Sequence, residues 1–350
     1  MGQGSNVMSP GNTEEPADEL SIHALRASLS EYATPDLRQA IWQMINTLIP
    51  YFVLWAILVY MVNNGYPFVW IASLIVADSL LFVRIFIFFH DCVHGSFFAS
   101  QRANTIFGFI TGIMTFTPFT SWKHNHLVHH GTYADLDHRG VGDIWTLTVE
   151  EYRSASRMMR LAYRLFRSPL VFLGIGPGYS FLIVQRFLYN WDGKKERLSG
   201  AITNLAILLI MLAATFTIGL RTYLVIQIPI VVIAGTIGVW LFYVQHQFDG
   251  VYWSRHENWN PFKAALKGSS YYRLPKALQW LTGNIGLHHA HHVLPRIPNF
   301  KLQRCHDASP ILQAVHPLTL SESLKSFSLN LWDERRKKLV SFRSLNGADA

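Results

Sequence analysis

Residues 68–94 read FVWIASLIVADSLLFVRIFIFFHDCVH. The first part, 68–89, is long and apolar enough to cross a bilayer, for which about 20 residues are needed. It runs without a break into His90 and His94. On a helix, positions i and i+4 share one face. A span that ends on two co-facial imidazoles predicts a membrane protein with its chemistry at the membrane surface.

Composition agrees. Of 350 residues, half are apolar, 14% are aromatic and only 15% are charged. A typical soluble domain carries about 25% charged residues, so an ordinary soluble surface is excluded. The net charge of +8 does not imply nucleic acid. The basic residues flank apolar spans instead of forming one stripe with interleaved aromatics. Cys92 and Cys305 are the two cysteines. They form no spaced pair, which excludes a disulfide framework and a CxxC metal site. The first apolar run begins near residue 41, after a leader carrying Glu14, Glu15, Asp18 and Glu19. Neither a signal peptide nor a transit peptide is expected.

Four spans are predicted, at about 43–63, 68–89, 199–219 and 222–244. The turns NNGYP and LRT make each pair a hairpin, so both chain ends and the long middle segment share one side. Lys123, Arg153, Arg157, Arg160, Lys194 and Lys195 crowd that side, while the turns carry only Arg221. Excess Lys and Arg mark the cytoplasmic face, so the termini and the polar segments are expected in the cytosol. Two further apolar runs, 105–119 and 169–189, are short or broken by Gly174, Gly176, Pro177 and Gly178. Both are read as interfacial or re-entrant. Residues 1–17 are expected to be disordered.

Eight of the 16 histidines fall into three repeated spacings. HDCVH gives His90 and His94. WKHNHLVHH gives His126, His129 and His130 as HxxHH. GLHHAHHVLPRIPNF (286–300) gives His288, His291 and His292 in the same pattern. Box three can be parsed several ways. Box two breaks the tie, because it repeats HxxHH and carries its own spare, His124; His289 is the spare of box three. Pro295 and Pro298 then stop that helix. All three clusters fall on the predicted cytosolic side. His23, His138, His256, His306 and His316 read as surface or satisfied core residues.

Clustered histidine is a metal or catalytic signal, and neutral imidazole suits Zn, Cu, Fe and Ni. A structural zinc needs about four ligands. Eight fit two metals that keep open positions. HExxH is absent, which argues against a zincin. Glu-x-x-His is absent too, which argues against a carboxylate-rich di-iron bundle. Two irons held by histidine beside an apolar slab suggest oxygen activation on a lipid.

With these boxes in order, the chain resembles the membrane fatty acid desaturases, and most closely their acyl-lipid Δ12 (omega-6) branch. The likeness rests on HDCVHGSFF (90–98), WKHNHLVHHGTYADLD (122–137), GDIWTLTVEEY (142–152), WLFYVQHQFDGVYW (240–253) and TGNIGLHHAHHVLPRIPNF (282–300), and runs over about 40–320. It implies an all-α integral membrane protein, with four transmembrane helices as two hairpins and a cytosolic helical cap holding a di-iron site. The implied layout is a leader over 1–40, a desaturase domain over 41–320 and a cytosolic tail over 321–350, in a bacterial cytoplasmic membrane. It also implies two iron ions, O2, an acyl-lipid or acyl-thioester substrate, and a separate electron donor of ferredoxin or cytochrome b5 type. His90, His94, His126, His129, His130, His288, His291 and His292 are carried over as ligands. His246, in VQHQF, matches a further ligand histidine. Where some members place a metal-facing Asn, this chain has Phe242, so no such contact is carried over.

Asp91 is a candidate acceptor for the free N–H of a ligand imidazole, and Asn284, four residues before His288, is another. Arg84 is expected to snorkel to the interface. Asp78, deeper in the span, is given no role. Trp122 and Trp145 read as interface aromatics. The spacings alone do not separate a desaturase from a sister hydroxylase or ketolase, although RIPNF favours the desaturase. A non-enzymatic haem or metal carrier would hold its ligands within the spans.

Overall fold

A computed structural model describes residues 16–188 and 193–347. Much of the predicted disordered leader, 1–15, lies outside them. The chain is mainly helical. The helices that position the site are α1 (Pro16–Ser28), α2 (Leu37–Asn63), α3 (Phe68–His94), α4 (Gln101–Met114), α5 (Phe119–Thr132), α6 (Arg157–Phe166), α7 (Lys194–Thr217), α8 (Leu220–His246), α9 (His288–Val293) and α10 (Asn299–Ala308).

Among the described residues, five helical segments are long and apolar enough to cross a membrane: α2, α3, α7, α8 and a largely π-helical stretch, Leu170–Phe187. The first four coincide with the four runs expected to span. The fifth occupies the run read as re-entrant, and its glycines do not interrupt it. The helices α2, α3 and α8 have 27 residues each, about 40 Å at 1.5 Å per residue. That exceeds a hydrocarbon core of about 30 Å.

The hairpin turns meet at one end. Asn63 Nδ2–H donates to the Ile218 carbonyl at 3.4 Å, and Thr222 Oγ1–H donates to Asn63 Oδ1 at 2.6 Å. The histidine-bearing ends of α3 and α8 meet at the opposite end. Helices α4 and α5 form a short pair against α3. They are joined through Phe116, at φ 58°, and Thr117, whose N–H donates to the Gly112 carbonyl at 2.8 Å. A Cβ on Gly112 would lie 2.6 Å from the Thr117 carbonyl oxygen, so glycine is needed at this close approach.

Short strands depart from the all-α expectation. Leu147–Thr148 pairs in parallel with Leu331–Asp333, which pairs antiparallel with Lys338–Val340. The C-terminal segment therefore packs onto the body of the protein. Tyr163 O–H donates to the Asn330 carbonyl, and Arg167 Nη2–H donates to Gln247 Oε1 at 3.1 Å.

Arg84 does not snorkel. It is 2% exposed, donates to Thr47 Oγ1 at 2.9 Å and to the Trp280 carbonyl, and stacks 4.1 Å from the Trp280 ring centroid. Polar groups of the cap reach down to it, so it has no need to reach water. Asp78 is fully buried, and among the described residues no hydrogen-bond partner meets either carboxylate oxygen.

Candidate metal centre

Helices α3, α5, α8 and α9 bring nine histidines together, the same nine picked out in the sequence. They sort into two groups. His90, His94, His126, His130 and His291 form one; His129, His246, His288 and His292 form the other. Each HxxHH box is shared between them. In box two the i, i+4 pair His126 and His130 joins the first group, and His129 the second. In box three the pair His288 and His292 joins the second, and His291 the first. The i, i+4 pair of each HxxHH box shares one face, and 100° per residue turns the remaining imidazole towards the other group. The groups touch where His130 stacks on His292, with ring centroids 4.2 Å apart.

The rings face each other through Nε2. Separations are 2.9 Å for His94–His126, 3.1 Å for His126–His130 and 3.1 Å for His130–His291. In the second group they are 3.2 Å for His129–His246, 3.0 Å for His246–His288 and 2.9 Å for His288–His292. Tautomers follow from the outer partners. His246 Nδ1 lies 3.1 Å from the Gly268 carbonyl, which can only accept, so Nδ1 carries the hydrogen. His129 Nδ1 lies 2.6 Å from Asp143 Oδ1 and donates to it. In the neutral rings both Nε2 atoms are then bare lone pairs, facing one another at 3.2 Å. Two such lone pairs repel unless a cation lies between them. Burial, reinforced by neighbouring imidazoles, holds His126, His130, His288, His291 and His292 well below the usual histidine range. That is the neutral form that binds metal.

The outer shell differs in part from expectation. Asp91 Oδ1 is 3.4 Å from His90 Nδ1, a long contact. Its Oδ2 accepts from the Asn299 backbone N–H and from Asn299 Nδ2–H, both at 2.8 Å. Asp91 thus caps the N-terminus of α10 and ties box one to the RIPNF stretch. Asn284 does not reach an imidazole through its amide: it donates to the Asn299 carbonyl at 2.9 Å. The reason is local. Asn284 has φ 58° and α9 starts only at His288, so the two residues are not on one helix. Sequence reading missed Asp143. It lies in the GDIW stretch, but nothing in its spacing separates it from Asp135 or Asp137.

His289 turns away, with Nε2 3.2 Å from His306 Nδ1, and both rings are buried. His124 is exposed. The helix ends at Val293, before Pro295, and α10 begins right after Pro298.

A cavity of about 370 Å³ opens beside the histidines, within the range of roughly 300–1,000 Å³ usual for ligand pockets. His90, His126 and His288 stand at its head, and Phe82, Phe86, Phe172, Phe181 and Gly235 line its body. Trp122 lines it and stacks on His126, with ring centroids 4.2 Å apart. It is therefore part of the site, contrary to the interface reading; Trp145 is 37% exposed. Phe242 lines the cavity and packs on His129 and His246, so its apolar ring occupies the place where the Asn contact is missing.

Fold and site together define a helical membrane protein with a buried, histidine-rich metal-type centre at the head of an apolar cavity. The family model described as "Fatty acid desaturase" matches residues 64–318. The chain belongs to the fatty acid desaturase family and is an enzyme of that kind. It is 46% identical over 321 residues to a "Fatty acid desaturase" of Bacillus subtilis (strain 168), covering 92% of this chain and 91% of that one. It is 23% identical to the "sn-1 oleoyl-lipid 12-desaturase" of Synechocystis sp. (strain ATCC 27184 / PCC 6803 / Kazusa), covering 86% and 84%. The "sn-1 acyl-lipid omega-3 desaturase (ferredoxin)" of the same organism is 24% identical, covering 76% and 74%.

Proposed function

We propose that this enzyme uses two histidine-held irons, O2 and two electrons to introduce a cis double bond into an acyl chain, with Δ12 (omega-6) regiochemistry. The observation that carries the reading is the facing Nε2 lone pairs at the head of an apolar cavity. His90, His94, His126, His130 and His291 would hold one iron, and His129, His246, His288 and His292 the other. Bound there, iron supplies the O2 and electron chemistry that no side chain can. The chain's own residues do the rest. Asp143 and the Gly268 carbonyl hold His129 and His246 in the tautomer that points Nε2 inward. Phe82, Phe86, Trp122 and Phe242 take up the acyl chain and keep water from the reacting methylenes. The Δ12 assignment is supported by the overall resemblance to the acyl-lipid Δ12 branch and by the likeness to the Synechocystis sn-1 oleoyl-lipid 12-desaturase.

Four spans in two hairpins, with termini and site in the cytosol, fit this reading. His94 and His246 end α3 and α8 at one point, so an even number of crossings separates them from each other along the intervening chain. The π-helical segment bonds α8 through Leu173–Thr236 and α7 through Arg186–Asn204. Each partner lies ten residues from the histidine-side end of its helix, about 15 Å down. Equal depth at both ends supports a re-entrant segment. A separate donor of ferredoxin or cytochrome b5 type would dock on the basic cytosolic face; the likeness to an sn-1 acyl-lipid omega-3 desaturase (ferredoxin) supports the first of these.

Expression in a host supplying saturated and monounsaturated chains tests the reaction. The expected product is a new double bond at the Δ12 position, absent with His291→Ala, which still inserts. An oxygenated product without new unsaturation would replace this reading with a hydroxylase. Full activity of His291→Ala would remove that residue from the centre.

A further inference from the structure

A third group of metal-type side chains lies outside the nine-histidine centre. Asp135 follows the end of α5 and forms a parallel bridge with Ser254. The Leu136 N–H donates to the Ser254 carbonyl at 2.8 Å, and the Ser254 N–H donates to the Ala134 carbonyl at 3.0 Å. This lacing sets two imidazoles on one carboxylate oxygen. His138 Nδ1 is 2.8 Å and His256 Nδ1 2.7 Å from Asp135 Oδ2, with ring centroids 4.4 Å apart. The carboxylate is buried, with its side chain 3% exposed, while the His138 and His256 side chains are 51% and 63% exposed. The cluster thus has a fixed inner ligand and two outer ones free to adjust.

Local charge favours a cation. Three carboxylates, Asp135, Asp137 and Glu334, stand against one guanidinium. Arg255 donates to Asp137 Oδ1 and to both Glu334 oxygens. Asp135 is left facing the imidazoles and the Asp137 backbone N–H. With ligand bonds of about 2.0–2.1 Å, tetrahedral coordination sets neighbouring ligand atoms about 3.3 Å apart, so the exposed rings need to move by only about half an ångström. Two nitrogens and one oxygen suit a borderline ion better than Mg²⁺ or Ca²⁺, which prefer all-oxygen sites.

We propose that Asp135, His138 and His256 form a separate mononuclear site for a divalent transition-metal ion of the zinc class, with a fourth position open to water. The ion clamps residues 133–138 to 254–256. That clamp backs the main centre, because the Tyr133 ring lies 4.0 Å from the ring of His292, and Trp259 Nε1–H donates to the Tyr133 carbonyl at 3.1 Å. The site needs only these three residues and is independent of the reaction catalysed.

The test is metal content of the purified full-length protein in detergent after Zn²⁺ loading and gel filtration, for wild type, His138→Ala and His256→Ala. Both variants keep all nine histidines of the main centre. The expected result is one equivalent of zinc fewer in each variant than in wild type. Added Zn²⁺ should also raise the Tm of wild type by more than that of either variant, in which only the nine-histidine centre remains to bind it. Equal zinc content in all three proteins, or loss in only one variant, overturns the site. If an alanine variant aggregates, His138→Gln and His256→Gln, which keep the bulk and lose the imidazole, repeat the comparison with the same criteria.

Discussion

His129 and His130 are neighbours in the chain, yet their Nε2 atoms join different groups. What sets His129 apart is the Asp143 carboxylate behind it, 2.6 Å from Nδ1. Removing such an outer partner typically costs 10–100-fold in metal affinity or activity. Asp143→Asn is expected to lower iron retention by about that factor while the protein stays folded; metal content after dialysis against a chelator measures it. Unchanged retention would assign Asp143 to packing alone. Eight of the nine histidines are legible in the sequence because the same spacing repeated on one side of the spans does not arise readily by chance; His246 stands alone in VQHQF and is legible only through the family resemblance. Asp143 is not, because its partner is 14 residues away through a loop, beyond any periodicity. Asn284 misleads for the related reason that four residues make a helical turn only inside a helix.

Helices α4 and α5 show what the pattern of apolar residues can and cannot tell. The run 105–119 is too short to span, and α4 has 14 residues, about 21 Å, which falls short of a bilayer. Apolar patterning carries no sign that α5 packs back so closely that a Cβ on Gly108 would lie 2.2 Å from the Phe119 ring. Phe119 opens the helix that carries box two. Gly108→Ala is therefore an overpacking change, expected to cost about 1–3 kcal/mol and to lower the Tm in a thermal melt. An unchanged Tm would mean that the Phe119 ring swings aside freely. On α8, Gly238 lines the cavity, and a Cβ there meets nothing within 4 Å. Gly238→Leu should therefore fold, keep its metal and fill part of the apolar space. The expected result is turnover reduced about tenfold or more on long acyl chains, which corresponds to at least roughly 1.4 kcal/mol. Undiminished turnover would place the acyl chain elsewhere.

Which way the whole molecule threads the membrane depends on the one segment whose character differs between sequence and structure. Read from sequence, 169–189 is broken by glycine and proline; folded, Leu170–Phe187 is one helical run, π-type on either side of an α-helical turn at Gly176–Tyr179, that qualifies as a span by length and composition. If it crossed alone, Lys195 would share a side with the turn at Asn64, and the turn at Arg221 would lie opposite. That conflicts with the hydrogen bonds joining Asn63 to Ile218 and Thr222 at one end of the molecule. It also conflicts with the Thr120 N–H donating to Ser199 Oγ at 3.0 Å, which sets the start of α7 beside the start of α5. Single-cysteine labelling separates the two threadings. The native background is low: Cys92 and Cys305 are buried, and burial pushes the Cys305 thiol up to about 12. A membrane-impermeant maleimide added outside intact cells stripped of their wall is expected to label Asn64→Cys and Arg221→Cys. Lys195→Cys and Leu324→Cys should label only after permeabilisation. Labelling of Lys195→Cys together with Asn64→Cys, with Arg221→Cys protected, would make the segment a fifth span. The histidines of α3 and α8 could then not meet at one membrane face, and the two-hairpin reading would fall with them.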